Sequence, residues 1–354
     1  MNEKVISYDL GTGGIKASLF NRNGEALHSA FIPYPTAYPQ PGWQEQAPED
    51  WWQAIIRSTR HLLDKTKIDK NEITALAISG HSLGVVPIGK NGSLLQAATP
   101  IWSDRRASSE AETFFNRIDY KEWYETTGNG FPPECYSVFK IMWYKKHFPE
   151  QYEVTDKIIG TKDYCNYRFT GRLCTDYSYA SGSGVFDLKT WNYKEEYVQA
   201  SGIRPDIFPE ILDSDAIVGT ITPEASLETG LPEHVRVICG GVDNSCMALG
   251  SKGIKPSRIY TSLGSSAWIA LVSENPVLDF DKKPYVFAHV IKGMYASATC
   301  IFSAGSSLQW VRNTICPDLL SAEEQGGEDA YIAMNKLAET SAPGPHGLLF
   351  NPSL

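Results

Sequence analysis

The sequence predicts an α/β protein of two related lobes, and three features carry that prediction. The first is an internal repeat. Tyr8-Asp9-Leu10-Gly11-Thr12-Gly13-Gly14-Ile15-Lys16-Ala17 lies near the start, and Ser262-Leu263-Gly264-Ser265-Ser266-Ala267-Trp268-Ile269-Ala270 lies about two-thirds of the way along. Each places an apolar strand, a Leu-Gly-Thr/Ser turn of small residues and a second apolar strand in the same order. The second feature is an early β-β-β-α-β order, which predicts a sheet with an antiparallel edge and a parallel centre. The third is length: 354 residues exceed one typical core, so two domains are expected.

The elements follow from local pattern. Residues 5–9, 15–20 and 25–32 read as strands, joined by the glycine turn and by Asn21-Arg22-Asn23-Gly24, a hairpin signal. A Pro-rich loop over 33–48 ends at Pro48, near the first turn of a helix, where a missing N–H costs nothing. Trp52, Ile55, Ile56, Thr59, Leu62 and Leu63 recur at helical spacing along it. Residues 73–79 form an unbroken apolar run, as expected of a strand covered on both faces. Residues 137–147 and 161–170 read as helices, Ile238-Cys239-Gly240-Gly241 closes a strand, and 244–250 reads as a helix. The segment 250–256, with two glycines and a proline, is the expected boundary between a domain over 1–250 and another over 256–354.

Composition excludes several classes of function. A formal net charge of −9 argues against a nucleic-acid partner, which needs a basic surface. Seven scattered cysteines without a C-x-x-C pair argue against a disulfide framework or zinc site and suit a reducing cytoplasm. The first residues lead directly into a strand without a signal-peptide core, and no apolar run is long enough to span a membrane.

Several residues are suited to chemistry. Glycine lets the backbone approach a ligand closely, and adjacent Thr/Ser hydroxyls and N–H groups suit phosphate oxygens. Ordinary tight hairpins use the same residues, and it is the second copy that favours a phosphate site. Asp9, ending a strand before the first turn, suits Mg²⁺ beside a triphosphate; capping the turn is the alternative. Asp243 stands at a helix start near the expected domain boundary, where a carboxylate can take the proton of an attacking hydroxyl. A plain helix cap is the alternative there. The loop Gly80-His81-Ser82-Leu83-Gly84 offers a hydroxyl and an imidazole to a polyol. Trp102-Ser103-Asp104-Arg105-Arg106 offers charges either to sugar hydroxyls or to ordinary ion pairs. Phe302-Ser303-Ala304-Gly305-Ser306-Ser307-Leu308-Gln309-Trp310 reads as a helix entry with a close-approach glycine.

Taken in order, these blocks resemble the FGGY carbohydrate-kinase family, in its xylulokinase-like branch. The resemblance also runs through Pro41-Gly42-Trp43-Gln44-Glu45-Gln46, Phe139-Lys140-Ile141-Met142-Trp143, Thr175-Asp176-Tyr177-Ser178-Tyr179-Ala180-Ser181-Gly182 and Gly240-Gly241-Val242-Asp243-Asn244. It implies two ribonuclease-H-like domains of the actin-like ATPase type, with ATP and a sugar in the cleft, and transfer of the γ-phosphate to a sugar hydroxyl. By position it implies Asp243 as catalytic base and Asn244 as a sugar contact. Ser82, Leu83 and Asp104 fall on the sugar side. Gly11, Thr12, Gly13, Gly14 and Lys16 match the first phosphate loop, Gly264 and Ser265 the second, and Gly305 and Gln309 the nucleotide-side helix. Asp9 and Asp243 are the carboxylates for Mg²⁺. Ser82-Leu83 stands where xylulokinases carry a Met-His or Gln-His pair, a departure that bears on which sugar is used. Family members continue beyond the block Gly347-Leu348-Leu349-Phe350-Asn351-Pro352-Ser353-Leu354 into a glycine-rich adenosine loop, so the resemblance implies an incomplete second domain, weak turnover and an exposed sheet edge. Dimers are common among such enzymes, which points to a homodimer. Two other functions fit the same residues: a non-catalytic sugar-binding module, and an actin-like ATPase without a sugar substrate.

Overall fold

The computed structural model describes residues 3–264, 267–301, 303–344 and 347–351. Contacts divide the chain into two units, Met1–Arg258 with Val272–Ser297, and Ile259–Leu271 with Ala298–Leu354. The chain thus leaves the first unit after Arg258 and returns to it over Val272–Ser297.

The first unit is built on a six-stranded sheet. Strands β1 (Lys4–Leu10), β2 (Gly14–Asn21) and β3 (Ala26–Pro33) form an antiparallel meander. Gly11 N–H donates to Gly14 O at 3.1 Å to close the first turn. Side chains cannot replace Gly14, because a Cβ there would lie 2.6 Å from the Phe31 ring and 2.7 Å from Ile32 O. In the second turn Asn21 Oδ1 accepts from the N–H groups of Asn23 and Glu25. Helix α1 (Pro48–Thr66) follows, with Pro48, Glu49 and Asp50 in its first turn, where a missing N–H and negative charge are both tolerated. It buries Trp51, Trp52, Ile55, Ile56, Thr59 and Leu62 against the sheet, where Tyr8 Oη lies 2.6 Å from Thr59 Oγ1.

Strand β4 (Ile73–Gly80) returns parallel to β1. Helices α2 (Ser137–His147) and α3 (Thr161–Thr170), strand β5 (Cys174–Asp176) and the single-turn α4 (Tyr177–Ala180) come next. Strands β6 (Ile217–Thr220) and β7 (Arg236–Val242) and helix α5 (Asp243–Gly250) complete the run. The sheet order is β6-β7-β4-β1-β2-β3, parallel across β7-β4-β1 and antiparallel at both edges. One face is closed: Ile6, Tyr8, Leu10, Leu76 and Ile78 are buried under α1 and α3. The other face departs from the expectation of two covered sides. Val5, Ser7 and Asp9 alternate as exposed residues on β1, and Ala75, Ala77 and Ser79 are only half-buried on β4. Short Ala and Ser side chains keep that face shallow, and the candidate site lies on it.

Toward the C-terminus, β8 (Arg258–Leu263), β9 (Ala267–Ser273), β10 (Tyr285–Ala288) and β11 (Tyr295–Ile301) form a sheet in the order β8-β9-β11-β10. Strand β10 belongs to the first unit. The second unit holds α6 (Gly305–Trp310), a π turn over Val311–Ile315, α7 (Pro317–Glu324) and α8 (Ala330–Glu339). Among the described residues no helix is long and apolar enough to cross a membrane, and the seven cysteines are free thiols.

Candidate active site

Asp9 is the last outward-facing residue of β1. The sheet register sets it opposite Lys16 on β2 and Ser79 on β4. Ser79 Oγ donates to Asp9 Oδ1 at 3.4 Å. Partial loss of water raises the Asp9 carboxyl above its usual range, against the Ser79 hydrogen bond and the Lys16 charge, which lower it. Asp243 is the first residue of α5. The helix is capped by Val242 rather than by an Asp side chain, and Asp243 Oδ1 instead accepts from Asn244 N–H at 2.7 Å. Loss of water pushes the Asp243 carboxyl up to about 7, and the Asp9 charge adds to the rise. The charge of Asp9 is therefore felt at Asp243. A base poised near neutral pH is what proton abstraction from a hydroxyl requires.

The turn over residues 11–14 is held from behind. Trp102 Nε1 donates to Thr12 Oγ1 at 3.0 Å, Gln46 Nε2 to Thr12 O at 2.7 Å, and Tyr34 Oη to Gly11 O. Gly13 has open space where a Cβ would stand. Gly11, Thr12, Gly13, Gly14, Lys16, Asp9, Asp243 and Asn244 all belong to the first unit.

The loop after β4 is sunk into the protein. Ser82 is 6% and Leu83 1% exposed. Leu83 has a left-handed backbone (φ 63°), and its carbonyl accepts from Lys140 Nζ at 3.0 Å. Lys140 also donates to Ile101 O at 2.6 Å, stapling two loops together, and burial lowers its ammonium to about 8. The Leu83 side chain is thus buried rather than turned to a ligand, which corrects the expected contact. His81 is buried as well. Burial lowers its imidazole to about 4, its ring lies edge-on to Trp51 with centroids 5.8 Å apart, and neither ring nitrogen has a hydrogen-bond partner.

Asp104 is the second correction. It is 0% exposed and both oxygens are committed. Oδ2 accepts from Gln44 N–H at 2.6 Å and Arg106 Nη2 at 2.7 Å, while Oδ1 accepts from Arg106 Nε at 2.9 Å. The same guanidinium pairs with Glu45 at 2.7 Å and lies over the Trp43 ring at 3.8 Å. Asp104 therefore holds Arg106 in place, and a sugar would have to break that fork to reach it.

In the second unit Gly305 N–H donates to Gly264 O at 2.9 Å, so the second turn and the start of α6 are joined. Gln309 is exposed on α6. Ser265 lies outside the described residues. The supporting roles of Gln46, Trp102 and Lys140 were not legible from residue type. All three fall inside sequence blocks that stood out by their order, but a hydrogen bond to a distant backbone leaves no local mark.

The sheet, parallel at its centre and antiparallel at both edges, is that of an actin-like ATPase fold. Residues 4–250 match the model of the FGGY family of carbohydrate kinases, N-terminal domain, and the chain belongs to that family. It is 30% identical over 351 residues to the xylulose kinase of Staphylococcus xylosus, covering 99% of this chain and 70% of that protein. It is 27% identical over 354 residues to the gluconokinase of Bacillus subtilis, covering 100% of this chain and 68% of that protein. The crystal structure of xylulose kinase from Rhodospirillum rubrum superposes with a TM-score of 0.89 at 25% identity, covering 99% of this chain and 70% of that one. Kinases of this family transfer phosphate from ATP to a sugar.

Proposed function

We propose that Asp243 is the general base for transfer of the ATP γ-phosphate to a hydroxyl of a small sugar. The supporting observation is its placement: a carboxyl at the start of α5, pushed up to about 7 and coupled to Asp9 on the open face of the sheet. In this reading the Asp243 carboxylate takes the hydroxyl proton as the oxygen attacks, and Asn244 and Ser82 orient the sugar. Gly11, Thr12, Gly13, Gly14 and Lys16 hold phosphate oxygens from the first domain, residues 1–250. Gly264, Ser265, Gly305 and Gln309 do so from the second, residues 256–354.

Asp9 and Asp243 are also the residues that would hold Mg²⁺. The fit rests on two hard oxygen donors, of which Asp243 is raised by lost water and by the charge of Asp9, a strain that a cation relieves. When bound, Mg²⁺ supplies neutralisation of the phosphate oxygens. Xylulose is the first candidate substrate and gluconate the second, following the names of the relatives. Ser82 stands where xylulokinases carry the first residue of a Met-His or Gln-His pair, and its hydroxyl is the place where the choice would be made. The free thiols and acidic balance suit the cytoplasm, and a homodimer follows from the family resemblance alone.

Replacing Asp243 by Asn tests the base directly. Turnover should fall by about 10²-fold or more, while the sugar dissociation constant measured by calorimetry changes little. Unchanged turnover would remove Asp243 from this role.

A further inference from the structure

Lys162, Asp176 and Ser178 are each 0% exposed and none lies on the open face of the sheet. They nevertheless converge on the residues that deliver Asp243. Strand β7 breaks register between Ile238 and Gly241. Gly240 there takes φ 74°, and a Cβ on it would stand 2.0 Å from Ile78 O. The carbonyl of Cys239 accepts from Lys162 Nζ at 3.2 Å and from Asn166 Nδ2 at 2.8 Å. On the other side of the irregularity, Val242 N–H donates to Ser178 Oγ at 2.9 Å. The Ser178 hydroxyl gives its own proton to Asp176 Oδ2 at 2.5 Å. Asp176 Oδ2 also accepts from Ser214 Oγ at 2.7 Å, and Oδ1 pairs with Lys162 Nζ at 3.0 Å. One buried carboxylate therefore ties together the groups that hold both ends of the turn.

We propose that Lys162, Asp176 and Ser178 are positioning residues that fix the 239–243 turn and, through it, the Asp243 carboxylate. The proposal rests on Asp243 being the base. Three features favour positioning over simple stabilisation. Burying ions is costly, and apolar side chains of similar volume often stabilise as well or better. The network spends its donors and acceptors on two backbone groups that flank the turn, the Cys239 carbonyl and the Val242 N–H. Lys162 also stays charged: burial alone would lower its ammonium, but Asp163 and Asp176 more than offset that and hold it well above its ordinary value. A reacting group misplaced by about 1 Å can lose about 10²-fold in rate, so a fully bonded frame around this turn has a direct consequence for turnover.

The test uses the full chain with three substitutions. Ser178→Ala removes the acceptor of Val242 N–H, Ser178→Thr restores it, and Ser58→Ala removes an equally buried hydroxyl that serves only Ile55 O within α1. Amide exchange followed by mass spectrometry reads residues 239–243, and steady-state kinetics with sugar and ATP read kcat and KM separately. Ser178→Ala should speed exchange there by about tenfold and lower kcat by about 10–100-fold with sugar KM within about threefold. Ser178→Thr should recover most of both, and Ser58→Ala should change neither. Unchanged exchange, unchanged kcat, or an equal loss in Ser58→Ala would overturn the proposal. The Asp243→Asn variant separates the two ideas. If it is fully active the base assignment fails. If it is crippled while Ser178→Ala is not, only the positioning role fails.

Discussion

As the proposed base, Asp243 would act in its ionised form, and the sign of the expected pH dependence follows from its raised pKa. A base works as the carboxylate. With its carboxyl pushed up to about 7 by lost water and the Asp9 charge, Asp243 is half protonated at neutral pH in the free protein. We therefore expect kcat/KM for the sugar to fall as pH drops below about 7, with a slope approaching tenfold per unit. A profile flat from pH 5.5 to 8 would contradict the assignment. Its prominence was partly legible, because an Asp after Gly240-Gly241-Val242 at a helix start stands out. Its coupling to Asp9 was not, since the two residues are far apart in sequence and meet only through the parallel register of β1, β4 and β7. Asp104 shows the opposite case. A charged Trp-Ser-Asp-Arg-Arg run fits either a sugar or an ion pair, and only the burial of the carboxylate under Arg106 decides it.

Strands and helices with strong periodicity were the most readable elements. The two helices Ser137–His147 and Thr161–Thr170 begin and end where their patterns indicate, and Pro48 opens α1 as its missing N–H allows. The interior of β7 was less readable, because a break in register depends on what lies beside the strand. Gly240 holds the key position. A Cβ there meets the Ile78 carbonyl at 2.0 Å, in a left-handed backbone that costs a non-glycine residue roughly 1–2 kcal/mol even without a clash. Gly240→Ala should therefore cost at least about 2 kcal/mol, seen as a fall in Tm of roughly 4 °C or more. Gly250→Ala, where a Cβ meets nothing within 4 Å, is the control and should leave Tm unchanged or slightly raised. Equal Tm values for the two variants would show that the turn has another low-energy arrangement.

Across the whole molecule the α/β class, the parallel centre and the family were legible from the order of short blocks along the chain. The return of Val272–Ser297 to the first unit was not, since contact between distant segments leaves no local signature. The chain spans 70% of the Staphylococcus xylosus relative and 68% of the Bacillus subtilis one. The most direct experiment incubates the full chain with ATP, Mg²⁺ and a panel of xylulose, other pentuloses, hexuloses, gluconate and tetritols. It follows ADP release and detects the phosphorylated product by mass spectrometry. A sugar kinase releases ADP only when its sugar is present, one ADP per sugar phosphate formed. Steady ATP hydrolysis that no sugar stimulates would mark an ATPase instead, and calorimetric sugar binding without any ADP release would mark a binding module; either result would contradict kinase function in this chain.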